Sequence, residues 1–254
     1  MLRQGMFYLL PVLVLSVVAF APSFASAEVF ELRTYTTNEG KLPNLNARFR
    51  DHTVALFKKH GMESVGYWVP TDEEKSKNTL IYVIRHESRD AAKASWQAFL
   101  SDPEWQKVAK ESQVDGQILA KAPDSVYMEA ADYSPSFTCE PSDEAVYELR
   151  IYRCNEGKLA NLDARFRDHT LRLLEKHGVR NVAYWHPTDE PDSKDTLIYI
   201  VRHASPAAAQ TSWKAFGADE QWKKVAEESQ KDGKFLRERP ESIYMKATDY
   251  SAIR

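Results

Sequence analysis

Val29-Phe-Glu-Leu-Arg33 returns as Val146-Tyr-Glu-Leu-Arg150, and Arg48-Phe-Arg-Asp-His-Thr53 returns as Arg165-Phe-Arg-Asp-His-Thr170. Tyr67-Trp68, Leu80-Ile-Tyr82, Arg85-His86, Trp96 and Trp105 recur at the same offset of 117 residues (Val29 to Val146), and Ser125-Val-Tyr-Met128 recurs as Ser242-Ile-Tyr-Met245. The register holds without a gap from Val29 to Ser134, and about 60% of the positions are identical. Solenoid repeats run to roughly 20–50 residues, so a period this long is a duplicated domain. Proline and small polar residues at 135–143 mark the linker, with one unit at 28–134 and the other at 144–254.

Each copy reads as β-α-β-β-α-β. Residues 29–37 alternate and are rich in β-branched and aromatic side chains, which predicts a strand, and Asn38-Glu39-Gly40 breaks it. Leu42, Leu45, Phe49, Leu56 and Phe57 fall at helical spacing across 41–60, and Gly61 supplies the stop, as Gly178 does in the second copy. Residues 64–69 and 79–86 read as strands, and 88–100 as a helix. Asp102-Pro103 opens another helix, Asp as the cap and Pro at its first position, and 125–131 is the last strand. Four strands with two helices on one face make a ferredoxin-like α+β unit. The bare sheet face needs a partner, and the linked copy is at hand. The expected fold is therefore tandem ferredoxin-like (βαββαβ) domains packed sheet to sheet, an intrachain pseudo-dimer with a cleft between the sheets.

The Glu-Leu-Arg-x-Tyr strand, the Arg-Phe-Arg-Asp-His-Thr helix, the Tyr-Trp strand and the segment from Trp96-x-x-Phe99 to Asp102-Pro-Glu-Trp105 resemble the NIPSNAP family across nearly all of both copies. The resemblance implies two tandem NIPSNAP domains and the dimeric α+β barrel fold. Its wider group includes cofactor-independent monooxygenases, small isomerases and haem-dependent chlorite dismutase-like proteins.

Strand alternation gives each strand two faces. Phe30, Leu32 and Thr34, with Ile81 and Val83, are the more apolar set and are expected under the helices. Glu31, Arg33, Tyr35 and Tyr127, with Glu148, Arg150, Tyr152 and Tyr244, then face the inter-sheet cleft as candidate ligand-binding residues. Tyr82 and His86, with Tyr199 and His203, share that direction and are the candidate proton carriers. A largely apolar cleft with a few convergent polar groups suits a small organic molecule, and Arg33 suits a carboxylate or phenolate. The competing reading pairs Glu31 and Arg33 with Arg150 and Glu148 across the pseudo-twofold as interface salt bridges. His52 and His169 fall in phase with the apolar helix positions and read as core residues, and the tryptophans read as packing. No two histidines of one copy stand four apart on a helix and HExxH is absent, so no metal and no cofactor is expected. Three functions stay open: small-molecule binding in the cleft, cofactor-independent oxygenation or isomerisation, and a structural interaction module.

Composition narrows the partners. The 254 residues are 43% apolar and 28% charged with a formal charge of -3, an ordinary globular balance. A pI of about 6.2 argues against a nucleic-acid surface, and no glycine-rich phosphate loop occurs. Arg3, an apolar run from Met6 to Phe20 and Ala25-Ser26-Ala27 describe a secretory signal peptide over 1–27 with cleavage after Ala27. The mature chain is then expected to be secreted or periplasmic and off the membrane, with further self-association left open. A disulfide between Cys139 and Cys154 is allowed in that compartment and not required.

Overall fold

A computed structural model describes residues 28–137 and 142–253. The expected signal peptide and Cys139 lie outside the described residues. The first repeat contains β1 (Val29–Thr36), α1 (Leu42–Arg48), α2 (Val54–Lys59), β2 (Glu63–Pro70), β3 (Thr79–His86), α3 (Arg89–Ser101), α4 (Pro103–Glu111) and β4 (Asp124–Ala130). The second contains β5 (Val146–Arg153), α5 (Leu159–Arg165), α6 (Leu171–Lys176), β6 (Arg180–Pro187), β7 (Thr196–His203), α7 (Pro206–Ala218), α8 (Glu220–Ser229) and β8 (Glu241–Ala247).

The breaks follow local chemistry. Gly61 and Gly178 adopt φ of 75° and 77° where the helix must reverse into a strand, a region open to glycine without a Cβ clash. Ser88 caps α3 by accepting from the Ala91 amide at 3.0 Å, and Asp102 caps α4 by accepting from Glu104 at 2.8 Å.

All eight strands close one antiparallel barrel in the order β1-β3-β2-β8-β5-β7-β6-β4. Two seams join the repeats. Trp68 pairs with Ala247 where β2 meets β8, and Ala130 pairs with Trp185 where β4 meets β6. Closure removes the free edges that two open sheets would expose. Outside the barrel, Arg50 forks onto Asp249 at 2.7 and 2.8 Å, and Arg167 onto Asp132 at 3.1 and 2.7 Å, each crossing between repeats.

The faces of the strands are the reverse of the sequence expectation. Phe30, Leu32, Val65, Trp68, Ile81, Val83 and Met128 form one core with Tyr147, Leu149, Val182, Trp185, Ile198, Ile200 and Met245 of the other repeat, inside the barrel. Glu31, Arg33, Tyr35, Tyr82, Ile84 and His86 lie on the outer face under the helices. The physical reason is dryness. Among the described residues, the interior supplies no acceptor even to the buried indole N–H groups of Trp68 and Trp185. It therefore takes the most apolar set, each large side chain contributing about 1.5–3 kcal/mol of burial. Under the helices, neighbouring side chains furnish hydrogen bonds and polar residues fit. The space between the sheets is thus packed with aliphatic and aromatic groups, where a polar cleft was expected.

Candidate functional site

Glu31 is fully buried at the centre of a polar cluster on the outer face of β1. Its Oε1 accepts from Arg33 Nη1 at 2.5 Å and Ser125 Oγ at 2.6 Å. Its Oε2 accepts from Trp96 Nε1 at 2.7 Å and His86 Nε2 at 3.3 Å. Burial alone raises the Glu31 pKa, but the bond from His86, the Arg33 charge and the bonds from Ser125 and Trp96 outweigh it and hold the group at about 2. An ionised carboxylate only accepts, so His86 Nε2 carries the proton. Glu148 repeats the arrangement with Arg150, Ser242 at 2.6 Å, Trp213 at 2.7 Å and His203 at 3.1 Å, and its pKa is also about 2. Each cluster pins β1, β3, β4 and α3, or their counterparts, within one repeat. The Glu–Arg pairs are therefore internal to each copy and do not cross the pseudo-twofold.

Beside each cluster lies a cavity between helices and sheet. The first, about 330 Å³, is lined by Tyr35, Arg48, Phe49, Thr53, Phe99 and Trp105 among others. The second, about 270 Å³, is lined by Tyr152, Arg165, Phe166, Thr170, Phe216 and Trp222 at the equivalent positions. Phe57 and Gln117 on the first wall correspond to Leu174 and Lys234 on the second.

A π-helical turn shapes each wall. Residues Phe49–Thr53 and Phe166–Thr170 carry the repeated Phe-Arg-Asp-His-Thr, with Val54 N–H bonding to Phe49 O and Leu171 N–H to Phe166 O, one residue wider than an α-helix. Thr53 Oγ1 donates to Arg48 O at 3.1 Å, and Thr170 Oγ1 to Arg165 O at 3.0 Å. The extra residue rotates the remainder of the helix. Thr53 and Thr170 become buried, while His52 is exposed and His169 half-buried. The expectation that these histidines are core residues assumed an unbroken α-period and is corrected accordingly.

Of the sequence candidates, Tyr35 and Tyr152 line the cavities, as does Tyr199. Glu31, Arg33, Glu148 and Arg150 sit behind them in the clusters. Tyr127 and Tyr244 are half-buried, and Arg89 stacks over the Tyr127 ring at 3.5 Å. The structure does not unite the Tyr82–His86 pair: Tyr82 OH donates to Tyr35 OH at 3.1 Å, while His86 bonds to Glu31. Cys154 is buried in the second repeat, which pushes its thiol up to about 11. Arg48 and Arg165 are cavity residues to which strand alternation assigns no role. Their signal is nonetheless present: a charge kept in both copies, three residues past Leu45 or Leu162, on the apolar helix face.

Two βαββαβ units closing a single barrel with all helices outside define a dimeric α+β barrel, held here in one polypeptide. The NIPSNAP family model matches residues 30–135 and again 147–252, and the chain belongs to that family. No curated protein matches the chain. Among solved structures, a proposed monooxygenase of Lactobacillus acidophilus NCFM is similar at a TM-score of 0.57 and 10% identity, over 87% of this chain and 94% of that one. A proposed monooxygenase of Fusobacterium nucleatum subsp. nucleatum ATCC 25586 gives 0.55 and 11%, over 87% and 93%. An anthrone oxidase-like protein gives 0.50 and 13%, over 88% and 92%. At these identities the likeness is one of fold.

Proposed function

We propose that this protein is an exported binder of small organic molecules that holds one ligand under the helices of each repeat. The observation that carries this reading is the pair of equivalent aromatic-lined cavities, about 330 and 270 Å³, each built on a π-helical turn. Small-molecule sites are concave and mostly apolar with a few placed polar groups. Tyr35 OH, Arg48 and Thr53 supply those groups in the first cavity. The site stands outside the barrel, so the binding role assigned to the space between the sheets moves to the helix layer. Export rests on the sequence of residues 1–27.

A second reading is turnover in the same cavities, by cofactor-independent oxygenation or isomerisation. The observation favouring it is the Tyr82–Tyr35 hydroxyl pair, whose Tyr35 member faces the first cavity. Burial raises the Tyr82 pKa well above its usual value, so Tyr82 keeps its proton at neutral pH and donates it to the Tyr35 oxygen.

Incubating the purified mature protein with an extract of its source cells, then identifying retained compounds by mass spectrometry, tests the binding reading. Ala109→Phe combined with Ala226→Phe fills both cavities and is expected to abolish retention. Equal retention by the filled variant would sink the proposal.

A further inference from the structure

Resting on the proposed small-molecule function, we infer that the ligand is an aromatic carboxylate, and that Arg48 and Arg165 are its receptors. Both arginines are more than nine-tenths buried, with 7% and 8% of their surface exposed. Among the described residues no carboxylate lies within 4 Å of either guanidinium, whereas Arg33 and Arg150 each have a glutamate. Arg48 Nη1 reaches Ser112 Oγ at a long 3.4 Å, and among the described residues the Nε atoms of both arginines have no partner. Arg165 also lines a further cavity whose wall carries Asp168 and Glu228, but among the described residues neither carboxylate comes within 4 Å of its guanidinium.

A buried charge without a counter-charge is costly, and the fold keeps this one twice. Burial pushes both guanidinium pKa values down, as expected where nothing balances the charge, and arginine still stays protonated. Aromatic rings lie against both guanidinium groups. The Arg48 guanidinium carbon stands 5.3 Å from the Trp105 ring centre, and that of Arg165 stands 5.2 Å from Trp222 and 4.8 Å from Phe235. A planar fork held on aromatic faces, with donors unspent at a cavity wall, matches a carboxylate carried on a flat ring. The carboxylate supplies the missing charge, and the ring fills the space between Phe49, Phe99 and Trp105. The cavity sizes suit one or two fused rings.

The test is calorimetric titration of 1-naphthoate and of neutral 1-naphthamide into the mature protein. Naphthoate is expected to bind at two sites per chain, about 10–100-fold tighter than the amide, the worth of a charge-assisted bond in a dry site. Arg48→Gln is expected to reduce the naphthoate stoichiometry to one. Arg165→Gln removes the other site, and Arg48→Lys restores part of the first. An unchanged far-ultraviolet circular dichroism spectrum shows that the variants are folded. If acid and amide bind alike and the glutamine variants change nothing, the carboxylate inference fails and the binding reading stands. If neither probe binds wild-type protein, the carboxylate inference fails, and retention from the extract decides the binding reading separately.

Discussion

The side-chain hydroxyl of Thr53 donates to the backbone carbonyl of Arg48, five residues earlier, at 3.1 Å. This bond ties the last residue of the widened turn back to the residue that precedes it. Thr170 and Arg165 repeat the contact at 3.0 Å. Thr53→Val keeps the shape and removes the donor, and is expected to destabilise the protein by about 1–2 kcal/mol. Hydrogen exchange at the Val54 amide, which bonds to Phe49 O, is expected to quicken. Unaltered exchange and unaltered denaturant midpoint would show that the threonine does not hold the turn.

Acid is expected to unfold the protein through Glu31 and Glu148. Both carboxyls are held at about 2 against an ordinary 4.5. A lowered folded-state pKa gives stability that is complete above about pH 5 and drains away as the pH falls toward 2. Each group contributes about 3 kcal/mol across that window. Urea denaturation at pH 7, 4 and 3 measures it. Glu31→Gln is expected to flatten the slope by about half, and an unchanged slope in that variant would overturn the assignment.

Arg48 and Arg33 are expected to respond in opposite directions to the same replacement. Arg33→Met leaves Glu31 buried without its counter-charge, a loss of about 3–5 kcal/mol. Arg48→Met removes a charge that has no carboxylate partner and is expected to raise the melting temperature of ligand-free protein by about 2–4 °C. Scanning calorimetry of the two variants decides the point. A lower melting temperature for Arg48→Met would mean that its ring contacts outweigh the cost of burying the charge.

A single repeat expressed alone carries the open edges of β2 and β4, which the intact chain pairs with β8 and β6. Residues 28–137 are therefore expected to sediment as a homodimer that rebuilds the barrel by pairing β2 of one copy with β4 of the other. A folded monomer in analytical ultracentrifugation would contradict the energetic role given to the seams.

Export is checked by N-terminal sequencing of the protein produced in a bacterial host with a secretory pathway. The mature chain is expected to begin at Glu28, in the periplasmic or culture fraction. Full-length protein retained in the cytoplasm would remove the signal-peptide reading.

The repeat and most element boundaries are legible in the sequence because a 117-residue echo and strong alternation leave few alternatives. The strand faces are misleading for a definite reason. Polarity ranks the two faces of β1, but the ranking does not say which side is drier. Glu31 is fully buried and yet fully bonded, because Trp96 from α3, His86 from β3 and Ser125 from β4 converge on it. Such convergence is long-range and has no local trace. The π-helical turns are hidden likewise: a period of 3.6 carried through Phe49 and His52 looks sound until one extra residue shifts Thr53 inward. The cavities depend on both features, so Arg48 and Arg165 stand out as a motif without revealing a task.

Joining the barrel halves by peptide bonds has a consequence for selectivity. A homodimer is obliged to present two identical chambers, since any substitution appears in both. Here Phe57 is replaced by Leu174, and Gln117 by Lys234, at matching stations of the two chambers. Covalent linkage lets each half drift alone, so one molecule can hold unlike guests, or the same guest with unequal grip.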